Sequence, residues 1–264
     1  MAIIKKVKQK TKKELEQFIN LKNLLTSNLE WCKWAGWMDT DGAIQVIKHK
    51  DKNKNGTNKA NQIRVSLGLR DKQPVELLSD FFETNLMYRE FKTITPEPYR
   101  NEYIAKVYHT NIYGDKAFCI TKNIYPYLLN DAKKQFAIKV LGYEPESKPL
   151  DDWTKQEFVS YFATVVEGDG GILLHQNKKS KRIRISIKSS TIEYLCNLKY
   201  LLEKLFNLNT NLAEKQSYQT LNGLKTKYDL YINTQDSEIY NLLVAPNIMT
   251  LDRKKNKILE FVNQ

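Results

Sequence analysis

Apolar and polar residues alternate without a break along QIRVSLGL (62–69) and again along RIRISIK (182–188). Strict alternation marks a strand with one buried and one wet face. In the first stretch Ile63, Val65 and Leu67 take the core side, leaving Gln62, Arg64 and Ser66 outside; in the second Ile183, Ile185 and Ile187 point in, and Arg182, Arg184, Ser186 and Lys188 point out. Each stretch has the same surroundings. A strand-like run precedes it (43–50 and 171–176) across a polar, lysine-rich loop, and a helix with apolar residues at helical spacing follows it (74–86 and 191–206). Two further strands come next, the clearer ones being 103–110 and 227–234, and a closing helix ends each half (131–141 and 252–261). In front stands a helix of small and apolar residues (29–39 and 154–167), the second with Thr154 or Asp152 placed to cap it. Gly42 and Gly170 sit where these helices stop.

The chain is therefore written twice, and each half reads α-β-β-α-β-β-α, an α+β class with an antiparallel sheet in each repeat. The boundaries expected are a basic N-terminal extension over 1–28, read as an amphipathic lead-in helix, a first repeat over 29–141, a linker over 142–152 and a second repeat over 153–264. The linker, GYEPESKPLDD, is polar and carries Pro145 and Pro149.

The leading helices hold the most informative repeat, WAGWMDTDG (34–42) and FATVVEGDG (162–170). Small residues recur four apart, Gly36 with Thr40 and Thr164 with Gly168, and such a stripe lets two helix backbones approach closely. Packing stripe on stripe joins the halves about a pseudo-two-fold axis. That contact gathers Asp39, Asp41, Glu167 and Asp169 at helix C-termini, where the helix dipole disfavours carboxylates by about 0.3–1 kcal/mol each and like charges add repulsion. A divalent cation resolves the conflict, since carboxylates with backbone carbonyls suit Mg²⁺ or Ca²⁺. A solvated helix end is the alternative for any one of these acids.

Composition narrows the partner. The 264 residues include 42 Lys+Arg against 30 Asp+Glu, a formal net charge of +12, with 41% hydrophobic and 27% charged residues overall. An ordinary globular composition with so large a positive surplus points to an acidic polymer, with a generically basic protein as the alternative. A basic protein with paired oxygen ligands for a metal points to phosphodiester hydrolysis. Cys32, Cys119 and Cys196 are odd in number and widely spaced, neither a disulfide framework nor a zinc site, and a reducing compartment is expected. No apolar run is long enough to span a membrane and the basic N-terminus has no signal-peptide core, so a protein that is intracellular and not secreted is expected. His49, His109 and His175 lie on separate strands, and EGDGG (167–171) lacks the lysine and spacing of a phosphate loop.

The two nine-residue segments and the repeat unit around them resemble the LAGLIDADG homing endonucleases. The resemblance runs from about residue 29 to the C-terminus. It implies a monomer whose motif helices pack together, with two sheets forming a DNA-binding saddle. It also implies cleavage of both strands of a long, nearly asymmetric site across the minor groove. The eighth-position acids, Asp41 and Asp169, would bind the catalytic metals, with the backbone carbonyls of Thr40 and Gly168 assisting. Mg²⁺ is the cofactor implied, with Mn²⁺ able to replace it and Ca²⁺ able to bind without turnover. A basic residue near the start of the closing helix supports catalysis in the family, which maps onto Lys133 and Lys254; a phosphate contact or a solvated helix start is the alternative. Trp34, Trp37 and Thr164 depart from the signature and predict a somewhat more open helix contact.

On the implied saddle, Gln45, His49, Gln62, Arg64 and Ser66 of the first half and His175, Arg182, Arg184, Ser186 and Lys188 of the second face DNA, with Lys106 and Lys227 on the later strands. Their side chains suit base edges and phosphates in a major groove that admits a β-ribbon. Apolar Ile47 and Leu173 on the same face are placed to touch thymine methyl groups. A solvated strand face is the alternative. The same fold also serves as an intron maturase that binds its host intron RNA, or as a non-catalytic DNA-binding protein; neither needs both aspartates. Abundant Lys and Asn suggest an AT-rich genome, organellar or prokaryotic.

Overall fold

The computed structural model describes residues 27–47, 62–94, 102–177, 180–220, 223–234, 238–245 and 248–263. The N-terminal lead-in, the lysine-rich loop of the first half and His49 lie outside them. The first half comprises α1 (Asn28–Asp39), β1 (Gly42–Ile47), β2 (Gln62–Leu69), α2 (Lys72–Phe81), β3 (Leu86–Ile94), β4 (Glu102–Tyr113), α3 (Gly114–Ile124) and α4 (Asp131–Leu141). The second comprises α5 (Lys155–Gly168), β5 (Gly170–Asn177), β6 (Ser180–Ser189), α6 (Ile192–Phe206), β7 (Thr210–Thr220), β8 (Gly223–Thr234), α7 (Glu238–Leu243) and α8 (Asp252–Val262). Each half thus has the expected αββαββα order with one helix added before the closing one, 11 residues long in the first half and 6 in the second. Each builds a four-stranded antiparallel sheet, ordered β1-β2-β4-β3 and β5-β6-β8-β7.

Helices cover one face of each sheet. Val65 and Leu67 of β2, with Ile183, Ile185 and Ile187 of β6, are buried against them as the alternation requires. One detail of local folding escaped the pattern, and one choice left open by the sequence is settled. The helix expected to reach residue 86 stops at Phe81, because Glu83 takes a left-handed φ of 51°. Thr84 N–H then donates to Ser79 O at 2.8 Å and Glu83 N–H to Asp80 O at 3.2 Å, which is a Schellman ending built without the usual glycine. At the linker, Gly142 ends α4 in the left-handed conformation, and Thr154 rather than Asp152 caps α5, forming a full capping box with Glu157.

The two halves meet through α1 and α5, the motif helices. The crossing matches each position with its own counterpart in the other repeat. A Cβ on Gly36 would lie 2.2 Å from Thr164 Oγ1 and 2.4 Å from Tyr161 O; one on Gly168 would lie 2.5 Å from Thr40 Oγ1. Each layer therefore pairs one glycine with one threonine, so the bulk of one side chain fills the gap left by the other. Hydroxyls of α5 also donate to carbonyls of α1, Ser160 to Leu29 O at 2.6 Å and Thr164 to Lys33 O at 3.0 Å. The contact is thus tight, and the expectation of a more open one is corrected. Thr164 bonds across the crossing instead of wedging it apart, while Trp34 turns away to pack on Phe81 and Phe82, and Trp37 is fully buried in the core.

Candidate active site

The polypeptide must reverse at the end of each motif helix to start a strand, and the room is small. A Cβ on Gly42 would lie 2.6 Å from Met38 Cα, and one on Gly170 would lie 2.4 Å from Val166 O. These glycines serve close approach, and neither adopts the left-handed conformation of a helix cap.

The tight turns leave the preceding acids with opposite fates. Asp39 and Glu167 point inward and are buried. Asp39 accepts from Leu129 N–H at 2.6 Å, Asn130 N–H at 3.2 Å and Tyr161 O–H at 2.6 Å. Glu167 accepts from the backbone of Thr250 and Leu251 and from the Thr250 hydroxyl. Both sixth-position acids thus tie a motif helix to the residues just before a closing helix, satisfying amide donors there. Burial pushes the Asp39 carboxyl up to about 7, against the pull of the Tyr161 hydroxyl and the Leu129 and Asn130 amides. Glu167 is raised for the same reason, against its Leu251 and Thr250 donors.

Asp41 and Asp169 point outward and toward each other across the helix crossing. An Asp41 carboxylate oxygen lies 2.9 Å from where a Cβ on Gly168 would stand. Partial burial, followed by the Asp41 charge, lifts the Asp169 carboxyl to about 6, against Lys133 and Lys254. Asp41 is raised by burial, against the same two lysines, Lys254 first. Two solvent-facing carboxylates, with the Asp41 charge adding to the cost of ionising Asp169, stand beside the carbonyl ends of two helices and form an acceptor-rich site. Among the described residues no cluster of three or more His, Cys, Asp or Glu side chains is placed to hold a metal ion. A hard cation fits this donor set of two carboxylates with the Thr40 and Gly168 carbonyls, and a thiophilic one does not.

Lys133 and Lys254 approach the same place from the closing helices, but unequally. Lys254 is buried and donates to the carbonyls of Val166, Glu167 and Gly170 at 2.7, 2.6 and 2.7 Å, which uses all three ammonium protons. It ties off the end of α5. Burial, and then Arg253, lower its pKa to about 8. Lys133 is half-buried, donates to Gly42 O at 2.5 Å and reaches Thr40 O at only 3.5 Å. Its pKa is lowered by burial, with Asp39, Asp169 and Asp41 opposing.

The open faces of the two sheets carry most of the residues assigned to them. Gln45 pairs with Arg64 and Ala43 with Ser66, so these residues share one face, which Gln62 also joins by alternation. In the second sheet His175 pairs with Arg182, Gly171 with Ser186 and Lys188 with Asp229, and Lys227 lies on the same face. Lys106 does not. It pairs with Glu90 and alternates with Tyr108 and Thr110, opposite Leu69 and Leu67, which puts it on the helix-covered side of the sheet, within 3.7 Å of Glu90. The open face also gains Arg89, His109, Asn111 and Tyr113 in the first sheet, and Asn211, Tyr231 and Asn233 in the second. Alternation within β4 does not reveal its members, because polar and apolar residues occur on both of its faces, whereas in β8 Asp229, Tyr231 and Asn233 alternate with Tyr228, Leu230 and Ile232 and were legible. The cysteines are free; Cys32 and Cys119 are buried and Cys196 is exposed. Among the described residues no helix is long and apolar enough to cross a membrane.

The architecture can be compared directly with solved structures. A LAGLIDADG meganuclease, I-AabMI, bound to uncleaved DNA aligns with a TM-score of 0.51 at 12% identity, covering 88% of this chain and 89% of that one. This chain has the LAGLIDADG fold. The homing endonuclease I-WcaI bound to its DNA recognition sequence (TM-score 0.45, 18% identity, 91% of each chain) and the N-terminal LAGLIDADG domain of WhiA (TM-score 0.41, 15% identity, 88% of each) are further similar structures. No family model and no curated protein matches the sequence. The repeated segments of this chain form its two crossing helices, α1 and α5, with Asp41 and Asp169 just at their C-terminal ends.

Proposed function

We propose that the chain is a site-specific DNA endonuclease that cuts both strands of a long, asymmetric duplex with a divalent cation. The observation that carries this reading is the pairing of Asp41 with Asp169. A scaffold gains nothing from setting two carboxylates against each other at two helix C-termini, each raised above its ordinary pKa. Asp41 and Asp169, with the carbonyls of Thr40 and Gly168, would hold Mg²⁺, or Mn²⁺ in its place. A bound cation there supplies Lewis acidity to a scissile phosphate and makes water a stronger nucleophile. The ammonium of Lys133, with a proton to spare, is placed to stabilise negative charge on that phosphate. The Lys254 ammonium holds the α5 terminus and so keeps Asp169 in position. Two polar, basic sheet faces suit the major groove on either side of the cut. The similar structure of the I-AabMI meganuclease bound to uncleaved DNA supports duplex DNA as the partner. One chain carries both repeats, so a monomer suffices for two strands.

The test is cleavage of plasmid DNA carrying the sequence that flanks the gene's own insertion site, with Mg²⁺ or with EDTA, by wild type, Asp41→Asn and Asp169→Asn. A discrete Mg²⁺-dependent double-strand break, reduced to nicking or lost in both variants, is expected. Tight, specific binding by wild type with no cut under any divalent cation would refute the nuclease reading and direct attention to intron splicing or repression.

A further inference from the structure

Arg64 and Arg184 occupy equivalent positions in the two sheets, one on β2 opposite Gln45, the other on β6 opposite Leu173. Their surroundings differ. Arg64 is spent within the protein. A terminal nitrogen donates to Gln45 Oε1, and its Nε is buried with no hydrogen-bond partner. Arg184 is held for use outside. Its Nε–H donates to Asn233 Oδ1 at 2.7 Å, and its guanidinium lies over the Tyr231 ring at 5.6 Å from the centroid. The ring is itself fixed, because Tyr231 O–H donates to buried Asp229 at 2.7 Å. Among the described residues no hydrogen bond engages either terminal nitrogen of Arg184.

We propose that Arg184 is a specificity-determining residue that reads one guanine in the half-site under the second sheet. This rests on the endonuclease reading above. A guanidinium anchored through Nε and stacked on an aromatic ring presents its two terminal N–H groups side by side, which matches the O6 and N7 acceptors of guanine. Holding the fork in advance removes the rotamer entropy that a free arginine loses on binding. A phosphate contact needs no such clamp, since charge alone suffices. Leu173, half exposed beside Arg184, adds an apolar surface next to it. The equivalent position of the first half presents the Gln45–Arg64 pair instead. The base pairs at matching distances from the centre of the target are therefore unlike, and the site departs from a palindrome there.

The experiment is selection of bound sequences from a randomised duplex library by wild type, Arg184→Ala and Asn233→Ala. Wild type is expected to enrich sequences with one guanine column in the second half-site, preferred on the order of 10- to 100-fold over other bases. Arg184→Ala should flatten that column and leave the others intact, and Asn233→Ala should broaden it partially. A guanine column that survives Arg184→Ala, or uniform weakening on every sequence with all columns unchanged, overturns the inference while leaving the endonuclease reading in place. Failure of wild type to enrich any sequence overturns both.

Discussion

The substitution Gly36→Ala tests the central contact most directly. The added methyl carbon would sit 2.2 Å from Thr164 Oγ1 and 2.4 Å from Tyr161 O. The hydroxyl can rotate away but the backbone carbonyl cannot. Bringing that contact out to an ordinary 3.4 Å requires α1 and α5 to separate by about 1 Å, in an interior packed too densely to absorb it. Overpacking of this kind costs about 1–3 kcal/mol, which for a chain this long corresponds to a Tm lower by roughly 3–10 °C. The same displacement parts Asp41 from Asp169, and a misplacement of about 1 Å near reacting atoms costs on the order of 100-fold in rate. Thermal unfolding followed by circular dichroism, with cleavage of a mapped target, measures both effects. Adding Thr164→Ala should recover only part of the loss, because it relieves the hydroxyl and leaves the carbonyl. Gly68→Ala is the control, since its nearest neighbour would be 3.6 Å away, at His109 Cβ. If Gly36→Ala is as stable as Gly68→Ala to within about 0.5 kcal/mol, the close crossing is not as described.

Further expectations follow from the charged groups and caps. Because the Asp169 carboxyl is raised from 3.8 to about 6, the metal-free protein loses stability as pH climbs through that interval. Asp169→Asn should therefore match wild type below about pH 4 and exceed it from about pH 6 upward in urea unfolding with EDTA; equal midpoints at pH 8 would contradict the crowding of the two carboxylates. Mg²⁺ should raise the wild-type Tm and leave that of Asp169→Asn nearly unchanged. Lys254→Met strands three buried carbonyls and should cost about 2 kcal/mol or more, whereas Lys133→Met should depress cleavage with a smaller loss of stability; equal effects in chemical denaturation would remove the distinction between the lysines. Thr154→Ala dissolves the capping box of α5 and should cost about 1 kcal/mol in the same assay.

The sequence by itself determined the repeat, the αββαββα order without the added helices α3 and α7, and the four motif acids. It also determined the outward set on β2 and β6, because strand alternation and helix periodicity are local and survive without neighbours. The Gly36/Thr40 and Thr164/Gly168 stripes were legible for the same reason. Only the tertiary structure decided what each stripe meets. That glycine lies against threonine in both layers depends on the crossing angle and register of two helices half a chain apart. Likewise Asp39 and Asp41 are two residues apart and chemically identical; one is buried on Leu129 and Asn130 and the other faces Asp169, because distant backbone supplies donors to only one of them. Lys106 was misplaced because β4 carries polar residues on both faces, so only its pairing with β2 and β3 fixes which side is wet. The differing tasks of Lys133 and Lys254, and of Arg64 and Arg184, are invisible to any reading by repeat. Equivalent positions inherit the same backbone, but their hydrogen-bond partners come from the residues that the two halves do not share.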